Sequence, residues 1–276
     1  NIKFSTGKLN DQIEFSGRLS QIKSDGYIDR AESNLKSYFL QGSYVKDNTL
    51  IKALAFGGHE ITYQAWNGID AETLANDRTF NPSGIYTDAD GSMKFHDNEV
   101  DNYKQDHYQL HWNQRINNQW STNLGLNYTY GRGYFEQYKE DEDFADYDLD
   151  EITVGGETIN RTDLIRRRWL NNDFYVITAS ANHKKDNLNM TFGGSFSNYD
   201  GDHFGEIIWA QFASNSEIND QYYNGNGKKT DLSLFSKATY KLSDQVSLYG
   251  DLQLRTVGYK TSGLTSDRVN LLVDEK

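Results

Sequence analysis

Apolar and polar residues alternate along most of this chain. The clearest run is Tyr103 to Tyr138, YKQDHYQLHWNQRINNQWSTNLGLNYTYGRGYFEQY. Tyr108, Leu110 and Trp112 hold even positions, with His107, Gln109, His111 and Asn113 between them. After Asn117-Asn118 the alternation resumes: Trp120, Leu124, Leu126, Tyr128 and Tyr130 interleave with Asn123, Gly125, Asn127 and Thr129. Period two predicts strands. The Asn pair predicts a tight hairpin turn, because Asn tolerates the positive φ such turns demand. The arms outrun the usual globular strand of about five or six residues. One face is apolar and ringed with aromatics, and the other is polar with several Gly, which suits lipid outside and water inside.

The same pattern recurs from end to end. Strands are predicted over Ile2 to Leu9, through Ile13, Phe15, Gly17 and Leu19, through Tyr38, Leu40, Gly42 and Tyr44, and over Thr49 to Gly58. Beyond the central hairpin they run over Phe174 to His183, through Leu188 to Phe196, through Leu232 to Tyr240, and through Val246 to Leu254. Short turns at Asn10-Asp11, Lys46-Asp47-Asn48, Lys185-Asp186-Asn187 and Ser243-Asp244 alternate with long loops at about Lys23–Asn34, His59–Asn102, Lys139–Arg168 and Tyr199–Lys229. Ala71 to Asn76 predicts a helical turn or two within the second loop. A sandwich has no reason to send every long loop to one end, whereas an outer-membrane barrel does. The expected fold is all-β: an antiparallel up-and-down transmembrane β-barrel, partial, with about ten strands of a larger barrel.

Composition changes this picture little. Hydrophobic content of 36% and a net charge of −12 suggest a soluble or disordered chain, yet 19 Tyr, 14 Phe and 5 Trp argue against disorder. A barrel reconciles the two, since only every second strand residue meets lipid. No run approaches the 18 or so apolar residues of a spanning helix. Asn1-Ile2-Lys3-Phe4 is already in strand pattern, so a signal peptide is not expected; either one was removed or the chain starts within something larger. With no Cys there are no disulfides, thiol nucleophiles or Cys-ligated metals. The single Pro suits a strand-rich chain.

The segments ALAFGGHEITYQAWNGI (Ala53 to Ile69), NPSGIYTDADG (Asn81 to Gly91), DNEVDNYKQDHYQLHWNQ (Asp97 to Gln114) and NLGLNYTYGRGYFEQYKE (Asn123 to Glu140) resemble the barrel of TonB-dependent outer-membrane receptors, and SDGYIDRAESNLKSYFLQGSY (Ser24 to Tyr44) fits the Bacteroidetes branch of that family. The resemblance covers essentially the whole chain. It implies outer-membrane import of a scarce nutrient, such as a ferric siderophore, haem or cobalamin, in a Gram-negative bacterium. It also implies an N-terminal plug and a 22-strand barrel as the family pattern, from which this sequence departs: it carries neither plug nor TonB box and fewer than half the strands. Residues 1–276 are accordingly expected to be part of a receptor barrel. Implied partners are the rest of the barrel, the plug, the TonB complex through that plug, lipopolysaccharide and the small-molecule ligand. Two alternatives stay open: a carbohydrate importer working with a surface lipoprotein, and a non-transporting adhesin or small barrel.

His59, Tyr63, Gln64 and Trp66 open the long second loop, and loops of this kind in the family help cover the ligand. Stiff aromatics suit that role, though they equally suit a membrane-boundary girdle. His107 and His111 fall on one strand face about 13 Å apart at roughly 3.3 Å per residue, too far for one ion; they are candidates for lining a ligand path. His59, Tyr63, Trp66, His107 and His111 therefore form the expected ligand-binding set, with no metal site and no cofactor. Asp88-Ala89-Asp90-Gly91 fails as a calcium hand, because Tyr86 and Asp97 fall where Asp and Glu are wanted, and reads as an Asp-Gly turn. The acidic run from Glu140 to Glu151 reads as a solvated, mobile loop. Arg166, Arg167 and Arg168 suit either lipid phosphate or a salt bridge with that loop. The net charge disfavours nucleic acid. No phosphate loop, nucleophile elbow or helical zinc motif is present, so an enzyme is not expected.

Overall fold

A computed structural model describes residues 1–275 of the chain. The strands begin with β1 (Ile2–Leu9), β2 (Ile13–Ser24), β3 (Ser33–Lys46) and β4 (Thr49–Tyr63). Helix α1 (Ala71–Asn76) and the hairpin of β5 (Ile85–Thr87) and β6 (Met93–Phe95) occupy the loop before β7 (Val100–Arg115) and β8 (Trp120–Asp143). A second small hairpin, β9 (Ile152–Val154) and β10 (Glu157–Ile159), precedes β11 (Arg161–Lys185), β12 (Leu188–Ala210), β13 (Asp220–Lys241), β14 (Ser247–Leu264) and β15 (Asn270–Glu275). Eleven of these form one antiparallel sheet in the order β1-β2-β3-β4-β7-β8-β11-β12-β13-β14-β15. Neighbours in sequence are neighbours in space, which is the up-and-down topology. The expected count of about ten falls one short, because Asn270–Glu275, NLLVDE, carries no period-two pattern.

Directly opposed residues share a face of a sheet. Phe4, Gly17, Leu40, Ala55, Tyr108, Tyr128 and Tyr175 are successive cross-strand partners and so form one row on the apolar face. Below them on the same face lie Leu110, Leu126 and Ile177. Stacked rings close the upper border of this band, Tyr108 on Tyr128 at 6.1 Å and Tyr128 on Tyr175 at 4.7 Å. The opposite face carries His107, Gln109, Thr129 and Asn127 in matching register. A continuous uncovered apolar face of this size belongs against lipid. Among the described residues no helix is long and apolar enough to cross a membrane. Leu126→Arg is expected to cost roughly 2–4 kcal/mol near the bilayer midplane, and Asn127→Arg on the wet face far less; equilibrium unfolding from lipid vesicles measures both.

The short connections cluster at one end. Asn10, Asp11, Asp47 and Asp186 have φ of 47°, 57°, 47° and 47°, the left-handed turn geometry expected of these residues. The Asn117-Asn118 turn works differently: Asn117 Oδ1 accepts from the amides of Gln119 (2.8 Å) and Trp120 (2.9 Å), so a side-chain acceptor closes it without positive φ.

The long end differs most from expectation. The loops expected at Lys139–Arg168 and Tyr199–Lys229 are largely strand, since β11 starts at Arg161, β12 reaches Ala210 and β13 starts at Asp220. The loop expected from His59 shrinks likewise, as β4 continues to Tyr63. Hydrocarbon needs only about 9–11 tilted residues, and β11 has 25. Above the band no lipid demands an apolar face, so the alternation stops while the hydrogen-bonded ladder goes on.

Candidate functional site

The protruding top of β8 is clasped from both sides. On the side facing away from the lumen, Glu136 Oε1 lies 2.9 Å from His96 Nε2 and Oε2 accepts from Arg167 Nε at 2.8 Å. Tyr86 of the β5–β6 hairpin stacks on Tyr138 at 4.3 Å. Tyr63 OH donates to the His96 carbonyl at 2.9 Å, packed beside Gly84, whose φ of +74° and tight space exclude a side chain. Asn81 Nδ2 ties the loop to the carbonyls of Gln64 (2.9 Å) and Asp29 (3.0 Å). Burial pushes the Glu99 carboxyl above the usual carboxylate range, although its Oε2 accepts from the Tyr138 amide at 2.9 Å.

On the lumenal side, Phe144, Tyr147 and Leu149 pack with Leu164, Ile207, Tyr222 and Tyr223 into a small core. The acidic run is therefore folded, not a loose solvated loop. Its apolar residues, spaced F-A-D-Y-D-L, turn through a 3₁₀ helix at Phe144–Tyr147 and anchor it. Arg166 Nη1 donates to Tyr147 OH at 2.8 Å, and Arg268 Nη2 reaches Asp148 Oδ1 at 2.5 Å. Burial raises the Tyr147 phenol far above the usual range, so it stays a neutral donor and acceptor.

Beneath this lid the inward positions carry Phe135, Arg168 and Tyr223. The Arg168 guanidinium carbon lies 5.7 Å from the Phe135 ring centre and 5.6 Å from that of Tyr223, and its Nε donates to Tyr223 OH at 3.2 Å. Trp66 meets Phe135 edge-on at 5.8 Å. Gly205 leaves room for the Tyr222 and Tyr223 rings, which a Cβ there would strike. A cavity of about 290 Å³ opens beside Arg168, lined also by His203, Tyr223, Tyr259 and Thr261. Deeper on the same face, His107 stacks on Phe56 at 4.7 Å, and its Nδ1 is 2.9 Å from Thr129 Oγ1. A cavity of about 400 Å³ there is bordered by Tyr103, Gln105 and His107.

The five residues expected to bind ligand divide between the two faces. His107 and His111 face the lumen; His111 lies opposite Lys52 and Gly125, with Nε2 3.2 Å from Gln109 Oε1. Trp66 is 59% exposed and touches the lumenal Phe135. Tyr63 is buried under the β5–β6 loop. His59 pairs with Lys36 and Lys104 and shares their parity with Tyr38, so it stands on the outer face. The arginine triplet likewise alternates: Arg166 and Arg168 turn inward and Arg167 outward to Glu136. The last is a structural pair with a β8 carboxylate rather than with the acidic loop. Asp88–Gly91 forms the β5–β6 turn, with the Gly91 amide donating to the Asp88 carbonyl at 2.8 Å. Among the described residues no cluster of three or more His, Cys, Asp or Glu has metal-binding proximity. Sequence reading missed Phe135, Arg168 and Tyr223 as a group; parity counted from Phe174 would have turned Arg168 inward.

No protein-family model and no curated protein matches the sequence. Solved structures do match in shape. The ferric-catecholate import receptor Fiu from E. coli K12, open form, aligns with a TM-score of 0.61 at 9% identity over 99% of this chain and 48% of that one. The ferric citrate transporter FecA, unliganded, gives 0.67 at 9% identity over 97% and 36%. The ferric yersiniabactin uptake receptor FyuA from Yersinia pestis gives 0.60 at 13% identity over 99% and 39%. At such identities the likeness speaks for the fold, and this chain spans less than half the length of each of these relatives. What the eleven strands form is a segment of the barrel wall that these uptake receptors share.

Proposed function

We propose that the chain is part of the barrel of an outer-membrane receptor that takes up a scarce nutrient, in the first place a ferric siderophore or related iron complex, with haem and cobalamin in the same class. The observation that carries this reading is Arg168 held between Phe135 and Tyr223 on the lumenal face, beside a cavity and under a folded lid. A guanidinium flanked by aromatic faces suits a flat, anionic chelate. His107, His111 and Trp66 line the same side. The three structural relatives are, by their own descriptions, receptors or transporters for ferric complexes.

The outermost strands of the sheet, β1 and β15, leave unpaired backbone groups that hydrocarbon does not tolerate. Further strands are therefore part of the proposal, as are a plug and energy supplied through it by a TonB complex. Membership of the Bacteroidetes branch rests on the sequence resemblance. Arg168→Gln in the whole protein is expected to weaken binding of an anionic ferric chelate by at least about tenfold, the size of a charged hydrogen bond lost. Titration calorimetry measures it, beside iron-limited growth of cells with the gene deleted and restored. Equal growth and uptake on ferric complexes, haem and cobalamin in both strains would reject the nutrient role.

A further inference from the structure

The charges buried under the β5–β6 hairpin do not balance while His96 is neutral. Glu136 and Glu99 are 2% and 5% exposed. Glu136 pairs with Arg167 Nε at 2.8 Å and with His96 Nε2 at 2.9 Å. Glu99 accepts from the Tyr138 amide at 2.9 Å, and among the described residues it enters no ion pair. Two buried carboxylates thus share one permanent cation, Arg167, and a histidine. An uncompensated charge in such a place is costly. The surroundings do not supply the missing cation. Lys139 of β8 has its own partner, Glu142, at 3.3 Å. Arg30 of the β2–β3 loop and Asp97 beside the hairpin are of opposite sign, and both lie near Tyr63. Glu140, which accepts from the Thr87 amide, and Asp163, which accepts from Tyr138 OH, only add negative charge. Burial pushes the Glu99 carboxyl above the usual range, against the Tyr138 amide, His96 and Lys139. Burial also acts upward on Glu136, but the bonds from His96, Asn98 and Arg167 prevail and hold it low. Glu136 therefore stays an anion, ready to face an imidazolium.

We infer that this cluster is a proton-operated latch: one proton, taken up on the His96 imidazole opposite Glu136, fastens the β5–β6 hairpin to the barrel wall, and its loss loosens the hairpin. A group that binds its proton more tightly in the closed state adds stability that is complete at low pH. That stability is lost as pH rises through the closed-state value. His96 beside an anion and Glu99 with its raised carboxyl are both of this kind, so the latch tightens on acidification. For Glu99 the window starts above the ordinary carboxylate range, and a histidine carries it across about pH 5 to 8. The groups interact, so one apparent titration belongs to the cluster as a whole. What the latch holds reaches the lumen. Tyr63 OH donates to the His96 carbonyl at 2.9 Å, and Gln64 Nε2 donates to the Glu136 carbonyl at 2.8 Å. Two residues further, Trp66 meets Phe135 edge-on at 5.8 Å, so the proton also steadies the aromatic wall beside Arg168. The latch is read with no ligand present, and its failure would leave the proposed uptake standing.

The test is hydrogen exchange of the whole protein in detergent micelles across about pH 5 to 8, the span over which histidine changes charge. Rates are corrected for the intrinsic pH dependence of exchange, and Leu124 to Tyr130 serves as the internal reference. Protection over residues 85–96 is expected to fall as pH rises, by up to about tenfold per unit, the limit for one proton. The reference should hold. Glu99→Gln balances the charge without a proton. Its hairpin at the alkaline end should be as protected as that of wild type at the acid end, with no slope between. A Glu99 that served only to accept the Tyr138 amide would give a variant with the wild-type slope and no alkaline gain. His96→Gln keeps an amide donor toward Glu136 but has no proton to gain, and should stay at the alkaline wild-type level throughout. Flat protection in wild type, a full slope in His96→Gln, or a Glu99→Gln hairpin that gains nothing at the alkaline end would each overturn the latch. Should Glu99→Gln fail to fold, the slopes of wild type and His96→Gln decide alone.

Discussion

Glu136→Gln is expected to free the β5–β6 hairpin from the barrel wall at a cost of about 3 kcal/mol. The carboxylate is 2% exposed and lies between His96 Nε2 and Arg167 Nε. Breaking a buried pair by removing one charge typically costs about 3–5 kcal/mol, because the partner is left uncompensated. Arg167 keeps partial access to water and the Tyr134 ring, 4.4 Å from its guanidinium carbon, which places the effect at the lower end. The change should be local, since the ladder of β8 with β7 and β11 does not depend on this side chain. Hydrogen exchange over residues 85–96 reads it: protection there should collapse while that of Leu124 to Tyr130 holds. Unchanged protection in the hairpin would show that stacking of Tyr86 on Tyr138 alone secures it.

The second large effect belongs to the other clasp. Phe144→Ala should cost about 3–5 kcal/mol of local stability, the range for emptying a buried aromatic site. Phe144 is 1% exposed and packs with Leu164, itself fully buried, at the centre of the cluster that also holds Ile207, Tyr222 and Tyr223. Asp146→Asn, at an exposed position of the same 3₁₀ turn, should change almost nothing. Limited proteolysis across residues 144–160 distinguishes the pair. Resistance of Phe144→Ala equal to wild type would mean that the ion pairs of Arg161 with Asp141 and Asp143 and of Arg268 with Asp148, not the core, hold the lid.

What could be read from the sequence ended where the bilayer ends. From Tyr108 to Trp112 and from Leu124 to Tyr130, lipid forces every outward residue to be apolar, so period two writes strand, face and register openly. The turns at Asn10-Asp11, Asp47 and Asp186 are equally plain, because left-handed φ selects few residues. Above the girdle the constraint on the outer face lapses. Leu164 to Arg168 pairs on both sides and still reads as loop, since its side chains follow no period-two alternation of apolar and polar residues. The site suffered from the same cause. His59 looked like a loop residue, although parity carried up from Ile51, Ala53 and Ala55 places it outward. Arg166 to Arg168 looked like one patch until alternation divided it. Phe135 and Tyr223 are far apart in sequence, and only the pairing of β8, β11, β12 and β13 brings them around Arg168.

The ladder that rises past the girdle has a further consequence for how such a wall can change length. Within hydrocarbon the height of each strand is set by bilayer thickness, but the rim answers to no such ruler. Adding two residues to each arm of a rim hairpin, on β12 and β13 for instance, lengthens the tower by one pleat and leaves every side chain on its own side. Adding one to a single arm turns Arg168-like positions out and Arg167-like positions in. Growth of the vestibule is thus quantised in pairs, and a single-residue insertion is tolerated only where a bulge absorbs it, as at Gly205/Glu206 and Ile165/Arg166.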